Sequence, residues 1–229
     1  MNRLTRLCSA GLIAACALAP LSGRADVVVL DEGFGNVANL PGWDQLDYSD
    51  PTSTGWFQGY TDVFGAQAGP GNSYAASNFL GADGSTGRVD NWLITPILAL
   101  SGVTNLSFYT NREDNPGLTD LLEVRFATGN GGIAEDFDYL LLFSIGGDGF
   151  PAQWTQWSTS LAFEGEGRFA FRYSGEADTL GYVGLDSVRV VTAVPEPSSY
   201  LLMLGGLGVL GATVRRGRRP AQAEPELKA

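Results

Sequence analysis

Carboxylates are the main groups through which this 229-residue chain could perform acid–base or metal chemistry. The sequence has no histidine, and its two cysteines, Cys8 and Cys16, lie in an N-terminal stretch that we predict to be removed. Imidazole bases, His-based triads, thiol chemistry and the usual zinc sites are therefore excluded. Two carboxylates suffice for glycoside hydrolysis, but no nucleophile, base and orienting group are brought together by any motif. We predict that the protein is not an enzyme.

The charge of residues 26–192 is strongly negative. This range holds 22 acidic side chains, six arginines and no lysine, which gives a net formal charge of −16. Such a surface repels phosphates, so we predict no nucleic-acid partner and no binding to anionic lipid surfaces. Divalent cations are its natural partners, although a soluble acidic exterior explains most of these carboxylates.

The five tryptophans allow two interpretations. Some of them could form a platform that stacks on sugar rings, and Trp154 and Trp157 are the candidates for glycan binding. Because they differ by three positions, a regular strand places them on opposite faces of a sheet, one in the core and the other exposed. The alternative is that all five are buried in a β-sandwich, and we favour it for each tryptophan.

Short alternating runs predict the elements that would position these side chains. Leu122, Val124 and Phe126 alternate with polar residues, as do Phe169, Phe171 and Tyr173, and both runs predict half-buried strands. Further strands are predicted at 27–30, 73–79, 92–95, 106–110, 139–144, 154–161 and 182–191. Glycine-rich turns separate them. About ten such strands predict an all-β fold, an antiparallel jelly-roll-like β-sandwich over residues 26–192.

The last predicted strand changes its inward phase. Val183 and Leu185 are at odd positions, whereas Val188 and Val190 are at even ones. A slip of one residue across Asp186-Ser187 predicts a β-bulge, which would re-aim the Asp186 side chain. An irregular strand end is the alternative explanation.

One block of the domain resembles a known family. The run Asp-Asn-Trp-Leu-Ile-Thr-Pro at 90–96, followed by Leu-Ser-Phe-Tyr at 106–109, is similar to the central block of "choice-of-anchor J" domains. These are related to the cleaved-adhesin and MAM-like jelly rolls, and residues 30–34 and 183–188 fit the same pattern. The resemblance implies a surface-displayed β-sandwich of adhesive or unknown role, and it does not imply an enzyme.

The same resemblance implies a structural calcium ion. In the related adhesin and MAM-like domains, a carboxylate near the start of the domain and one near its end meet at calcium. The corresponding positions are Asp31 or Glu32 at the start and Asp186 at the end, with Asp90 as a further candidate. Calcium prefers such oxygen donors, but no contiguous calcium-binding loop is present.

The C-terminal segment resembles the PEP-CTERM sorting signal of Gram-negative bacteria that make extracellular polysaccharide. Its motif is Pro195, Glu196 and Pro197, followed by 17 uncharged residues at 198–214. As a helix this stretch would be about 25 Å long, close to the thickness of a bilayer core, so we predict a C-terminal transmembrane helix. The arginines that should stop it on the cytoplasmic side are Arg215, Arg216, Arg218 and Arg219.

The resemblance also implies a partner for this segment. In that family Pro-Glu-Pro is recognised by an exosortase-type membrane protease, which is thought to remove the tail. An ordinary single-pass anchor is the alternative. We predict that residues 193–219 form the sorting segment and that residues 220–229 form a disordered tail.

The N-terminus predicts export. Arg3 and Arg6 precede an apolar stretch, and the small-x-small sequence at 23–25 predicts a signal helix over 1–25 with cleavage after Ala25. Lipidation of Cys16 is the alternative. Together the segments predict a non-catalytic protein, exported across the inner membrane and sorted to the cell surface or exopolysaccharide matrix. The alternative function is a carbohydrate-binding module that recognises extracellular polysaccharide.

Overall fold

A computed structural model describes residues 24–83, 86–131, 140–195, 203–208 and 210–211. The chain divides into two compact units, one formed by residues 25–194 and the other by residues 1–24 with 195–229. Residues 1–23 of the predicted signal helix, Glu196, Pro197, the four arginines at 215–219 and the tail at 220–229 lie outside the described residues. Arg24 and Ala25, the predicted end of that helix, are instead the first residues of a β-strand.

The unit of residues 25–194 contains two six-stranded sheets. The first sheet is formed by β1 (Arg24–Glu32), β3 (Phe57–Gln58), β4 (Ala75–Asn78), β7 (Val103–Arg112), β10 (Thr155–Ala162) and β12 (Tyr182–Pro195). Its strand order is β10-β7-β12-β4-β3, and β1 also pairs with β12.

The second sheet is formed by β2 (Asp44–Asp47), β5 (Arg88–Ile94), β6 (Leu98–Leu100), β8 (Leu121–Thr128), β9 (Leu141–Gly146) and β11 (Gly165–Glu176). Its order is β2-β5-β11-β8-β9, with β6 also paired to β11. Neighbours along both orders are antiparallel. The prediction of an all-β, antiparallel sandwich is confirmed.

The main core lies between the two sheets. Leu106 and Phe108 of β7 face Val124 of β8 and Phe171 of β11 in one buried cluster. The rings of Phe108 and Phe171 meet edge to face, with centroids 5.3 Å apart. Period-two alternation therefore predicted the inward residues of these strands correctly.

β11 differs from the prediction of a half-buried strand. Arg168 and Ala170 alternate with its inward residues, yet they are only 4% and 0% exposed. The reason is position, because β11 is the central strand of its sheet. Its outer face is covered by a second cluster that contains Trp92, Ile94 and Ala127.

The predicted β-bulge in β12 is confirmed. The pairing of β12 with β7 shifts between Asp186 and Arg189. Ser187, inside the shift, has a φ of 50°, a backbone conformation that L-residues seldom adopt. The strands that sequence reasoning missed are β2, β3 and β6, which have four residues or fewer and no alternation long enough to identify.

The described residues of the C-terminal segment are helical at 203–208 and 210–211. Across the described parts of the chain, no helix has the length and hydropathy needed to cross a membrane. The predicted transmembrane helix over 198–214 is therefore not confirmed, and the rest of that stretch lies outside the described residues.

Candidate functional site

All six arginines of residues 26–192 lie in the described part of the chain, and each pairs with a carboxylate. The pairs are Arg88–Asp90, Arg112–Asp120, Arg125–Glu123, Arg168–Asp44, Arg172 with both Asp90 and Glu123, and Arg189–Asp31. Since this range has no lysine, every basic side chain of the domain forms an ion pair with a carboxylate of the same domain. The carboxylates that outnumber these arginines leave the domain with a negative net charge toward any partner.

Asp90 belongs to an ion-pair network on the outer face of the second sheet. Arg172 donates from Nε to Asp90 Oδ1 at 2.6 Å and from Nη2 to Oδ2 at 2.7 Å. The indole of Trp92 also donates to Oδ1, at 2.8 Å, and the guanidinium of Arg172 lies 5.1 Å from its ring centroid. The hydrogen bond to Asp90 is the largest cause of the raised pKa of Arg172. Both oxygens of Asp90 are thus engaged.

Asp186 is fully buried and fastens a loop to the bulge of β12. Its Oδ2 accepts from the backbone N–H groups of Gln67 at 2.9 Å and Ala68 at 3.2 Å, and its Oδ1 accepts from that of Ser187 at 2.6 Å. Burial raises the pKa of Asp186, although these donors act in the opposite direction. The bulge re-aims this side chain toward the loop that contains residues 65–68.

The other two candidate calcium ligands are also engaged separately. Asp31 is exposed and pairs with Arg189 at 3.3 Å, while Glu32 Oε1 accepts from the Phe34 backbone N–H at 2.7 Å. Within the described ranges, no group of three or more acidic side chains is placed to hold a metal ion. These four carboxylates are therefore not arranged as a calcium site built from several carboxylates. Calcium binding stays a prediction of the sequence.

The calcium prediction has a direct thermal test. A ligand that binds only the folded state adds about 2.7 kcal/mol at a free concentration 100 times its Kd. If Asp31 or Glu32 and Asp186 hold calcium, the melting temperature of the full chain in excess calcium is expected to exceed that in chelator by several degrees. Equal melting temperatures in calorimetry would contradict the prediction, and magnesium at the same concentration is the control.

Six aromatic rings form a cluster on the outer face of the first sheet, which we term the outer aromatic cluster. Its members are Phe57, Tyr60, Phe64, Tyr74, Trp154 and Tyr182. Gly184 of β12 lies beneath it, because a Cβ there would be 2.8 Å from Phe64, 2.9 Å from Trp154 and 3.0 Å from Tyr74. A glycine in β12 therefore makes room for three rings.

Hydrogen bonds hold the outer aromatic cluster together. The Tyr74 hydroxyl lies within bonding distance of Tyr60 O at 2.9 Å, Phe64 O at 3.0 Å and the Tyr182 hydroxyl at 3.1 Å. Burial raises the pKa of Tyr74, so the group remains a neutral phenol. The Trp154 indole donates to Gly65 O at 2.7 Å.

The two tryptophans proposed for glycan binding lie on opposite sides of the first sheet. Trp154 packs in the outer aromatic cluster, whereas Trp157 packs against Phe143 between the sheets and donates to Thr110 Oγ1 at 2.9 Å. Both are half-buried. The aromatic residue that is most open to solvent here is Tyr60, at 58% exposed. Sequence reasoning missed it by weighing only tryptophans, although four aromatic residues between 56 and 64 were a usable signal.

The last strand of the sandwich reaches the predicted sorting motif. Thr192 is 1% exposed, and its Oγ1 bonds the N–H and the carbonyl of Ser101, both at 2.8 Å, and Thr104 Oγ1 at 2.9 Å. β12 then ends at Pro195, the first residue of the motif. Two residues thus separate Thr192 from Pro195, the first residue of the motif.

Comparison with known proteins bears on both parts of the chain. Residues 193–219 match the PEP-CTERM protein-sorting motif. The fold is similar to the K3 cleaved adhesin domain of Lys-gingipain from Porphyromonas gingivalis, with a TM-score of 0.55, 24% identity and coverage of 73% of this chain and 99% of that one. The fold is also similar to the K1 domain of the same protein, with a TM-score of 0.56, 24% identity and coverage of 70% of this chain and 96% of that one. No curated protein sequence is significantly similar.

These matches assign the two parts of the chain. The C-terminal segment carries a PEP-CTERM sorting motif, and the preceding β-sandwich has the cleaved-adhesin fold. At this level of identity the likeness to the gingipain domains concerns the fold alone.

Proposed function

We propose that this is a non-catalytic exported protein, which an exosortase-type system sorts to the cell surface or the exopolysaccharide matrix of a Gram-negative bacterium. The observation that carries this proposal is the sorting motif at 193–219, whose first three residues are also the last three residues of β12. An adhesive or matrix role suits a domain that is displayed outside the cell and has no predicted catalytic set.

The proposed route uses both ends of the chain. The signal segment at 1–25 directs export across the inner membrane, and cleavage after Ala25 makes Asp26 the first residue. The apolar stretch at 198–214 then holds the chain in the membrane, with the four arginines on the cytoplasmic side. The exosortase-type protease recognises Pro195–Pro197 and releases the domain, so the membrane is a transient partner.

The end of β12 supports release of an intact domain. Thr192 is bonded to Ser101 and Thr104, and Ala193 is buried. Removal of the chain beyond Pro195 therefore leaves Thr192 with its hydrogen bonds, and the buried Ala193, in place. A cut on the N-terminal side of Thr192 would instead break these bonds and open the sheet.

Replacing both motif prolines, Pro195→Ala with Pro197→Ala, is expected to block processing. In a host with the exosortase-type protease, immunoblots should show the longer, tail-bearing form in the membrane fraction and at least a tenfold loss of the shorter form. Pro220→Ala, outside the motif, is the matched control and should be processed normally. Unchanged processing of the double variant would contradict the proposal.

Recognition of extracellular polysaccharide is the second candidate function. The observation that favours it is the outer aromatic cluster, which includes Trp154 and presents the exposed Tyr60 on one face of a sheet. Aromatic rings that are fixed in place and open to solvent suit the apolar faces of sugars.

A further inference from the structure

We propose that Tyr60 is the stacking residue of a binding site for a neutral polysaccharide, an inference that rests on the second candidate function. The site would lie on the outer face of the first sheet, at the turn that follows β3. Neither Trp154 nor Trp157 is its centre, because each is half-buried and bonded through its indole nitrogen.

The backbone of Tyr60 is fixed from both sides. Its N–H donates to the Tyr182 hydroxyl at 2.9 Å, and its carbonyl accepts from the Tyr74 hydroxyl at 2.9 Å. The same carbonyl accepts from the Val63 N–H at 3.1 Å, which closes a turn. Two buried tyrosines, 4% and 0% exposed, thus hold an exposed residue in position. Such preorganisation lowers the entropy cost of binding.

The ring of Tyr60 is supported by its neighbours and remains open to solvent. Its centroid lies 5.4 Å from that of Phe57 and 6.3 Å from that of Tyr182, yet the residue is 58% exposed. Of the exposed large hydrophobic residues in the described sandwich, Tyr60 has the greatest exposure. A solvent-exposed ring with packed neighbours can take the apolar face of a pyranose without rearrangement.

The charges of the domain favour a neutral polysaccharide over an anionic one. Each of the six arginines pairs with a carboxylate, so none is set aside for a sulfated or uronic-acid sugar. Asp62 is exposed two residues after Tyr60 and can accept hydrogen bonds from sugar hydroxyls. The same carboxylate repels anionic sugars, and the net charge of −16 over residues 26–192 acts in the same sense. The ligand is therefore a neutral glycan.

Affinity electrophoresis of the full chain tests the site. The gels would contain neutral polysaccharides (β-glucan, mannan or galactan) or acidic ones (alginate or hyaluronan). The wild type is expected to be retarded by at least one neutral polysaccharide and by neither acidic one. Tyr60→Ala should weaken that binding at least tenfold, while Tyr60→Phe, which keeps the ring, should bind within about threefold of wild type.

The matched control is Tyr48→Ala, which removes another exposed tyrosine, at 45% exposure, next to β2 of the second sheet. It should bind like the wild type, and melting curves should show that each variant is folded. Retardation unchanged in Tyr60→Ala would overturn the site and leave polysaccharide recognition standing. No retardation by any neutral polysaccharide would overturn both, and preferential binding to alginate or hyaluronan would overturn the assigned class.

Discussion

Replacing Arg168 with methionine is expected to lower the free energy of unfolding by about 3 kcal/mol, because several carbonyls lose the buried guanidinium that donates to them. The ion pair with Asp44 adds little, because the Asp44 side chain is 53% exposed. Arg168 is 4% exposed. It donates to Thr95 O at 2.6 Å and to Gly131 O at 3.1 Å, and it pairs with Asp44 Oδ2 at 2.7 Å. Methionine fills part of the space but donates no hydrogen bond.

Denaturant unfolding of the full chain measures this effect, and Arg189→Met is the matched control. Arg189 pairs with Asp31 at 3.3 Å, but both side chains are about half exposed or more, at 49% and 63%. Exposed pairs contribute about 0–1 kcal/mol. If both variants lose the same small amount of stability, the hydrogen bonds from Arg168 to these carbonyls do not stabilise the fold.

Replacing Gly184 with valine is expected to cost about 3 kcal/mol and to disorder the outer aromatic cluster. The added Cβ alone would lie 2.8–3.0 Å from Phe64, Trp154 and Tyr74. Three packed rings cannot all retreat without exposing the apolar surface that they bury, and overpacking of this kind destabilises a protein.

Near-ultraviolet circular dichroism and denaturant unfolding together test this prediction. Gly184→Val should lose part of the aromatic signal as well as stability. Gly149→Val is the control, because Gly149 is exposed and a Cβ there meets no atom within 4 Å. It should change stability by less than about 1 kcal/mol. A native-like aromatic spectrum in Gly184→Val would show that the rings do not pack over this glycine.

The parts of the fold that sequence predicted well depend on local patterns. Leu106 and Phe108 in β7, and Leu122 and Val124 in β8, point inward as their alternation requires. The bulge after Asp186 was predicted from a one-residue change of phase. Two-residue β3 was missed because it is too short to show any period.

The parts that sequence did not predict depend on distant segments. Alternation puts Arg168 on the outward face of β11, but the residues that contact it there are distant in sequence. Its guanidinium donates to the carbonyls of Gly131 and Gly42, which are 37 and 126 positions away. The outer aromatic cluster likewise joins Tyr60 with Tyr182, 122 positions later. No local pattern reveals which distant residues will meet, whereas the sorting motif is contiguous and could be identified directly.

The masses of the two ends of the protein, isolated from cells that express it natively, test the central claim most directly. An exported, exosortase-processed protein should begin at Asp26 and should lack the tail, ending near Pro195–Pro197. Mass spectrometry that finds the chain intact to Ala229 in the native cell envelope would contradict the account.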